Sequence, residues 1–188
     1  MPVPSGLSSN LRMRPRYGFT LIELLVVIAI IGILAGILFP AATSAMKSAK
    51  ATIAKNQAVQ IASALTAYET EYGHLPPSSG SPSQIDAAMV GILCSSGDTN
   101  NPRGIIFLDA TTWKKGKGGT NASGYCDPFS ATSVYMVALD TGYSNSISVP
   151  TQPTPGAALG PDTNITKRIG VWTVFTNGTQ VKMVNSWD

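Results

Sequence analysis

The stretch from Arg16 to Pro40, RYGFTLIELLVVIAIIGILAGILFP, decides how the rest of the chain is read. From Phe19 to Phe39 it runs 21 residues in which only Thr20 and Glu23 are polar. At about 1.5 Å per residue such a helix is roughly 30 Å long, the hydrocarbon thickness of a bilayer. A secretory signal peptide has a shorter apolar core, about 7–15 residues, so the stretch reads as a spanning helix. Its surroundings are unusual for a plain anchor. Glu23 stands inside the apolar run, Gly18 immediately precedes it, and Arg12, Arg14 and Arg16 alternate upstream.

Gly18-Phe19-Thr20-Leu21-Ile22-Glu23, with the basic leader, the apolar helix and Pro40, resembles the type IV pilin and type II secretion pseudopilin family, the major pseudopilins most. The order and spacing of cleavage site, acid and apolar run make the likeness specific. It implies that a membrane prepilin peptidase cuts between Gly18 and Phe19 and methylates the new amine of Phe19. It further implies that Glu23 pairs with the Phe19 amine of a neighbouring subunit in a helical filament; the alternative is that Glu23 snorkels to the headgroups. In filaments of similar proteins the stretch corresponding to Gly32–Pro40 loses helical structure on assembly. The residues themselves say that Gly32 and Gly36 form G-x-x-x-G, a face on which a helix can pack closely. The alternative is that they merely loosen the helix. Pro40 removes an intrahelical hydrogen bond and is expected to kink it.

Composition sets the bounds. Charged residues are 12% of 188, and the formal net charge is +3. The three leader arginines account for that excess, leaving ten basic and ten acidic side chains beyond them. A generally basic, nucleic-acid-binding surface is therefore not expected. The topology count is level, Arg12, Arg14 and Arg16 on one side against Lys47, Lys50 and Lys55 on the other. The resemblance decides it, with the leader inside and the domain outside the inner membrane.

After Pro40 the helical pattern resumes. Ala54, Ala58, Ile61, Leu65, Tyr68 and Tyr72 form one apolar stripe at spacings of three and four. Gly73 and Pro76-Pro77 end it. Ser81-Pro82-Ser83-Gln84 reads as the start of a second helix, with Ser81 as N-cap, a buried face of Ile85, Ala88, Met89, Ile92 and Leu93, and a stop at Gly97. Asn101–Asp109 is similar to a stretch found in some pilin-like proteins ahead of the sheet. Trp113–Gly119, WKKGKGG, reads as a flexible basic loop and Pro150–Pro161 as a further loop. Ser133–Leu139 is a strand pattern, and Arg168–Thr176 and Thr179–Val184 flank the hairpin signal Asn177-Gly178. The ending resembles the closing hairpin of pseudopilin-like proteins. The fold class is α+β, a long N-terminal helix packed on a small C-terminal antiparallel sheet. The expected divisions are a leader (1–18), a transmembrane and assembly helix (19–40), the outer half of the long helix (41–75) and a globular domain (76–188).

An enzyme is not indicated. The chain has a single histidine, His74, read as a surface residue at a helix end, and no phosphate-binding loop, zinc spacing or nucleophile elbow. Cys94 and Cys126 show no metal-like spacing, and an exported domain permits a disulfide between them, which is the expectation; two separate buried thiols are the alternative. Major pseudopilins hold one Ca²⁺ in carboxylate-rich loops. Here Asp140–Asn145 has one acid and Phe175–Val184 has none, so Asp127, Asp140 and Asn145 are the candidate calcium ligands. Beyond calcium no cofactor is expected. The resemblance implies a pseudopilus subunit whose partners are copies of itself, the peptidase, the inner-membrane assembly platform, minor pseudopilins and the membrane. The alternatives are a surface type IV pilin for adhesion, motility or DNA uptake, and a single-pass anchored binding domain.

Overall fold

In the computed structural model, which describes residues 18–78, 80–94, 98–152, 159–177 and 180–187, helix α1 occupies Leu21–Tyr72. The leader arginines, Gly97 and Gly178 lie outside those residues. The chain divides into two compact units, Met1–Thr43 and Ser44–Asp188. In the first, every described side chain is exposed. An all-round apolar helix belongs in lipid or against other helices. Helical hydrogen bonding is assigned through Pro40, whose carbonyl accepts from the Thr43 hydroxyl (2.9 Å).

In the second unit the pattern narrows to a stripe, as expected. Ala54, Ala58, Ile61, Leu65 and Tyr68 are completely buried, Tyr72 partly, and Ala64 joins them. Gly73 terminates α1 at φ 74°, and its N–H bonds the Glu69 carbonyl (2.8 Å). That is the left-handed cap for which glycine carries no steric penalty. His74 is exposed.

The next segment departs from the sequence reading. Ser83–Gln84 is a short strand, β1, and helix α2 begins only at Ala87, running to Cys94. Its N-cap is Asp86, whose carboxylate accepts from the Met89 N–H (2.9 Å). Ser81 instead accepts the Leu139 N–H (3.2 Å), tying the segment to the sheet. A local capping signal has yielded to strand pairing, and Ala88, expected to be buried, is exposed. Met89, Ile92 and Leu93 are buried as expected. Beyond α2, Asn101 is wholly buried and fully used. Its amide N–H₂ donates to the carbonyls of Ile92 (2.9 Å) and Ile105 (2.7 Å), while its oxygen accepts from Tyr72 Oη (2.7 Å) and Ile105 N (3.1 Å). It therefore joins the end of α1 to α2.

The remaining strands are β2 (Gly119–Asn121), β3 (Gly124–Cys126), β4 (Met136–Leu139), β5 (Ile147–Pro150), β6 (Asp162–Ile165), β7 (Ile169–Asn177) and β8 (Gln180–Asn185). The main sheet is antiparallel in the order β1-β4-β7-β8, and β2-β3 and β5-β6 form separate hairpins. Asn177 pairs with Gln180, so the closing hairpin forms one residue later than its sequence signal suggests. Alternation along the strands splits the core. Val137, Leu139 and Val171 face α1, whereas Ala138 and Trp172 face Ile147 and Val149 of the β5-β6 hairpin. Sequence reading missed that hairpin, because DTNI is polar and its four residues are mostly exposed.

The WKKGKGG segment is a formed turn. Lys114 N donates to Gly118 O (3.1 Å), Gly118 N to Lys114 O (3.0 Å) and Gly116 N to Pro128 O (3.1 Å). Gly118 sits at φ 72°, and a Cβ there would strike the Gln57 amide.

Two buried acids organise the loops. Asp127, itself fully buried, accepts from the N–H groups of Phe129 (2.8 Å) and Ser130 (3.0 Å) and from the buried Thr173 hydroxyl (2.6 Å). Asp140 accepts from Ser144 N (2.9 Å), Ser144 Oγ (3.0 Å) and Asn145 N (2.6 Å), with Arg168 Nε at 3.9 Å. Arg168 also pairs with Glu69 of α1 and covers the Tyr143 ring. Burial raises the Asp140 pKa, but these donors and the guanidinium outweigh it and hold the group below the ordinary carboxylate value.

Thr173→Val should lower unfolding stability by about 1–3 kcal/mol, because it leaves a buried carboxylate short of a donor. Thr173→Ser should lose less in the same denaturant titration. A depressed folded-state pKa stabilises above the unfolded value and is lost as pH falls through the folded one. The denaturation midpoint of the wild type should therefore drop more steeply in acid than that of Asp140→Asn.

Candidate functional site

The start of α1 brings the singled-out residues together. Gly18 and Phe19 precede the helix and are exposed, and no atom lies within 4 Å of a Cβ built on Gly18. Thr20 is the N-cap. Glu23 Oε2 accepts from Thr20 N (2.9 Å) and Thr20 Oγ1 (2.8 Å), and Glu23 N donates to Thr20 Oγ1 (3.3 Å). This is a capping box, Thr-x-x-Glu, and it satisfies helix-start donors that lipid cannot. Sequence reading gave Glu23 only the alternatives of pairing with a neighbour or snorkelling. The signal for the box was legible as Thr20-Leu-Ile-Glu23.

A carboxylate offers about four lone-pair sites, and the two donors from Thr20 converge on one oxygen. Capping therefore leaves the acid able to accept a further cation. Along the same helix, a Cβ built on Gly32 or Gly36 would meet nothing within 4 Å, so the G-x-x-x-G face is open. Phe19 is 78% exposed and Leu21 86%.

The other candidate sites separate. Asp140 and Asn145 share one loop, but Asp127 bonds Thr173 of β7, whereas Asp140 lies beside Arg168 at that strand's start. Among the described residues no group of three or more His, Cys, Asp and Glu is placed to hold a metal. Both carboxylates are already supplied with internal donors, and Asp140 with a guanidinium. The expected three-residue calcium site does not fit this arrangement.

The expected disulfide is also absent, for a reason of strand geometry. Cys94 packs in the main core beside Tyr125. Cys126 follows Tyr125 on β3 and so points to the opposite face. Its thiol lies 3.1 Å from the Ala131 carbonyl and 3.4 Å from Asn121 Oδ1. Both cysteines are free. Burial is the main cause pushing both thiols above their ordinary pKa, which makes them poor nucleophiles.

Comparison with known proteins bears on the start of the chain. No solved structure matches it. Type II secretion system core protein G of Pseudomonas aeruginosa is 43% identical over 61 residues, which is 32% of this chain and 43% of that protein. The chain thus spans less than half the length of the curated relative it matches. Residues 13–39 match the prokaryotic N-terminal methylation motif, and the chain carries this prepilin-type start at the head of α1.

Proposed function

We propose that the chain is a structural, non-catalytic subunit of a type II secretion pseudopilus. On this reading it is held in the inner membrane by the first half of α1 with its folded domain outside the cytoplasm. The observation that carries the reading is the methylation motif ending on a helix long and apolar enough to cross a membrane. Similarity to the core protein G of a type II secretion system favours a secretion pseudopilus over a surface pilus. The methylation motif by itself suits both. Partners then follow as proposals: prepilin peptidase, the assembly platform, minor pseudopilins and further copies of the chain.

The chemistry of assembly falls to Glu23 and Phe19. A charged side chain at the bilayer centre costs about 2.5–3.5 kcal/mol on insertion scales, and less toward the edge. Two hydrogen bonds from Thr20 offset part of that in the single subunit. Cleavage after Gly18 creates an ammonium on Phe19, a cation that also needs a partner out of water. Docking the ammonium of one subunit on the open side of a neighbour's Glu23 neutralises both. It also fixes the axial position of the helices before their apolar sides close. The open Gly32 and Gly36 face and the missing N–H of Pro40 then allow close approach and local unwinding.

Capping and docking make different demands on residue 23. Glutamine serves at the third position of a capping box, but it carries no charge. Glu23→Gln should therefore keep the subunit inserted and cleaved while filament yield collapses, since an unpaired buried ammonium costs about 3–5 kcal/mol. Thr20→Ala should cost only about 1 kcal/mol of helix-start stability and leave filaments in place. Sheared-filament yield measures both. Normal filaments from Glu23→Gln would reduce the acid to a cap.

A further inference from the structure

Lysines from three stretches of chain gather around the first turns of α1 in the second unit. Lys47, Lys50 and Lys55 lie on α1 itself. The turn bearing Lys114, Lys115 and Lys117 is seated against them, since Gln57 Nε2 donates to the Lys117 carbonyl (2.8 Å). A Cβ on Gly116 would stand 3.6 Å from Lys50 Cε. Lys182 of β8 lines one groove with Ser44, Lys47, Ser48 and Phe175. The ion pairs Arg103–Glu71, Arg168–Glu69 and Arg168–Asp140 lie at the other end of this part of α1, near Tyr72. Lysines thus concentrate at one end of this part of α1 and the arginine–acid pairs at the other.

We propose that this lysine face binds the anionic headgroups of the membrane that holds the unassembled subunit. The inference rests on the anchored reading above. Lys47 and Lys50 follow Phe39, the end of the apolar run, by only eight and eleven residues. Juxtamembrane lysines at such spacing feel the negative surface potential of a bilayer, each strengthening contact by about fivefold. The fold adds the turn lysines to that short segment, which sequence distance alone would not. Nucleic acid fits less well. Of the aromatics beside these lysines, Trp113 is half-buried with its indole N–H on the Asp127 carbonyl (2.9 Å) and Phe175 is buried, so neither is a fully exposed stacking platform. The same lysines oppose the positive-inside bias, and contact with an anionic leaflet gives them a use on the far side.

The test uses the full chain in nanodiscs of phosphatidylcholine, with and without phosphatidylglycerol, and follows lysine acetylation by mass spectrometry. Incorporation into both kinds of disc reports the anchor; its failure would count against the anchored reading rather than against the face. Lys50, Lys114, Lys115 and Lys117 should react about fivefold or more slowly with phosphatidylglycerol present, and high salt should remove the difference. Lys167, beside Arg168, is the exposed reference and should react alike in both discs. Replacing Lys114, Lys115 and Lys117 together by glutamine should weaken the protection of Lys50. Equal rates in the two discs would overturn the proposal, as would protection by duplex DNA without any response to phosphatidylglycerol, or protection that rises with the number of copies per disc.

Discussion

The first half of α1 has no surface that water tolerates. Its side chains from Leu21 to Phe39 are exposed in the single subunit, on all sides of the helix. Such a segment has two stable surroundings, the hydrocarbon of a bilayer and the matching segments of other copies. Both are dry, so every polar group carried into them must bring its own partner. The reciprocal bonds between Thr20 and Glu23 are the local answer to that requirement, and they come from the residues at the helix's first turn. On the proposed reading, an ammonium created by cleavage before Phe19 would extend the same logic from one subunit to the next.

The helix changes character within one continuous element. Up to Phe39 it is apolar all round; from Ala54 it carries an apolar stripe that the core buries completely as far as Tyr68 and partly at Tyr72. Aromatic residues concentrate where α1 ends, with Tyr68, Tyr72 and Phe107 in edge contact and Asn101 knitting the neighbouring carbonyls and hydroxyls. The folded domain is therefore anchored most firmly on the end of α1 farthest from the apolar run. Lysines, rather than arginine–acid pairs, gather at the nearer end. Packing and charge are divided along one helix.

The elements legible in the sequence were those with sustained patterns. An apolar run of 21 residues, a stripe at spacings of three and four, and Asn-Gly between β-rich runs gave the long helix, its buried face and the closing hairpin. Short-range signals fared worse when long-range pairing competed. Ser81-Pro82-Ser83-Gln84 carries the marks of a helix start, yet Ser83 and Gln84 pair with Val137 and Met136. The glycines of WKKGKGG suggested looseness, whereas they supply the positive φ that a hydrogen-bonded turn against Gln57 requires. The cysteine pairing failed because residue count says nothing about which face of β3 a side chain occupies. Calcium is what the resemblance implies. Asp127 and Asp140 take their donors from the protein instead, in two separate places. At the candidate site the sequence singles out Gly18, Phe19 and Glu23 by resemblance, whereas the Thr20 partner of Glu23 is legible only from the Thr-x-x-Glu spacing.

The proposed docking depends on processing at the head of α1, since an ammonium on Phe19 requires removal of the residues before it. Mass spectrometry of the chain purified from membranes of a host with an active prepilin peptidase measures this directly. A chain beginning at Phe19 with one methyl group on its amine is the expected result. A chain that keeps the residues before Phe19 in such a host would contradict the account, because Glu23 would then have no neighbouring ammonium to receive.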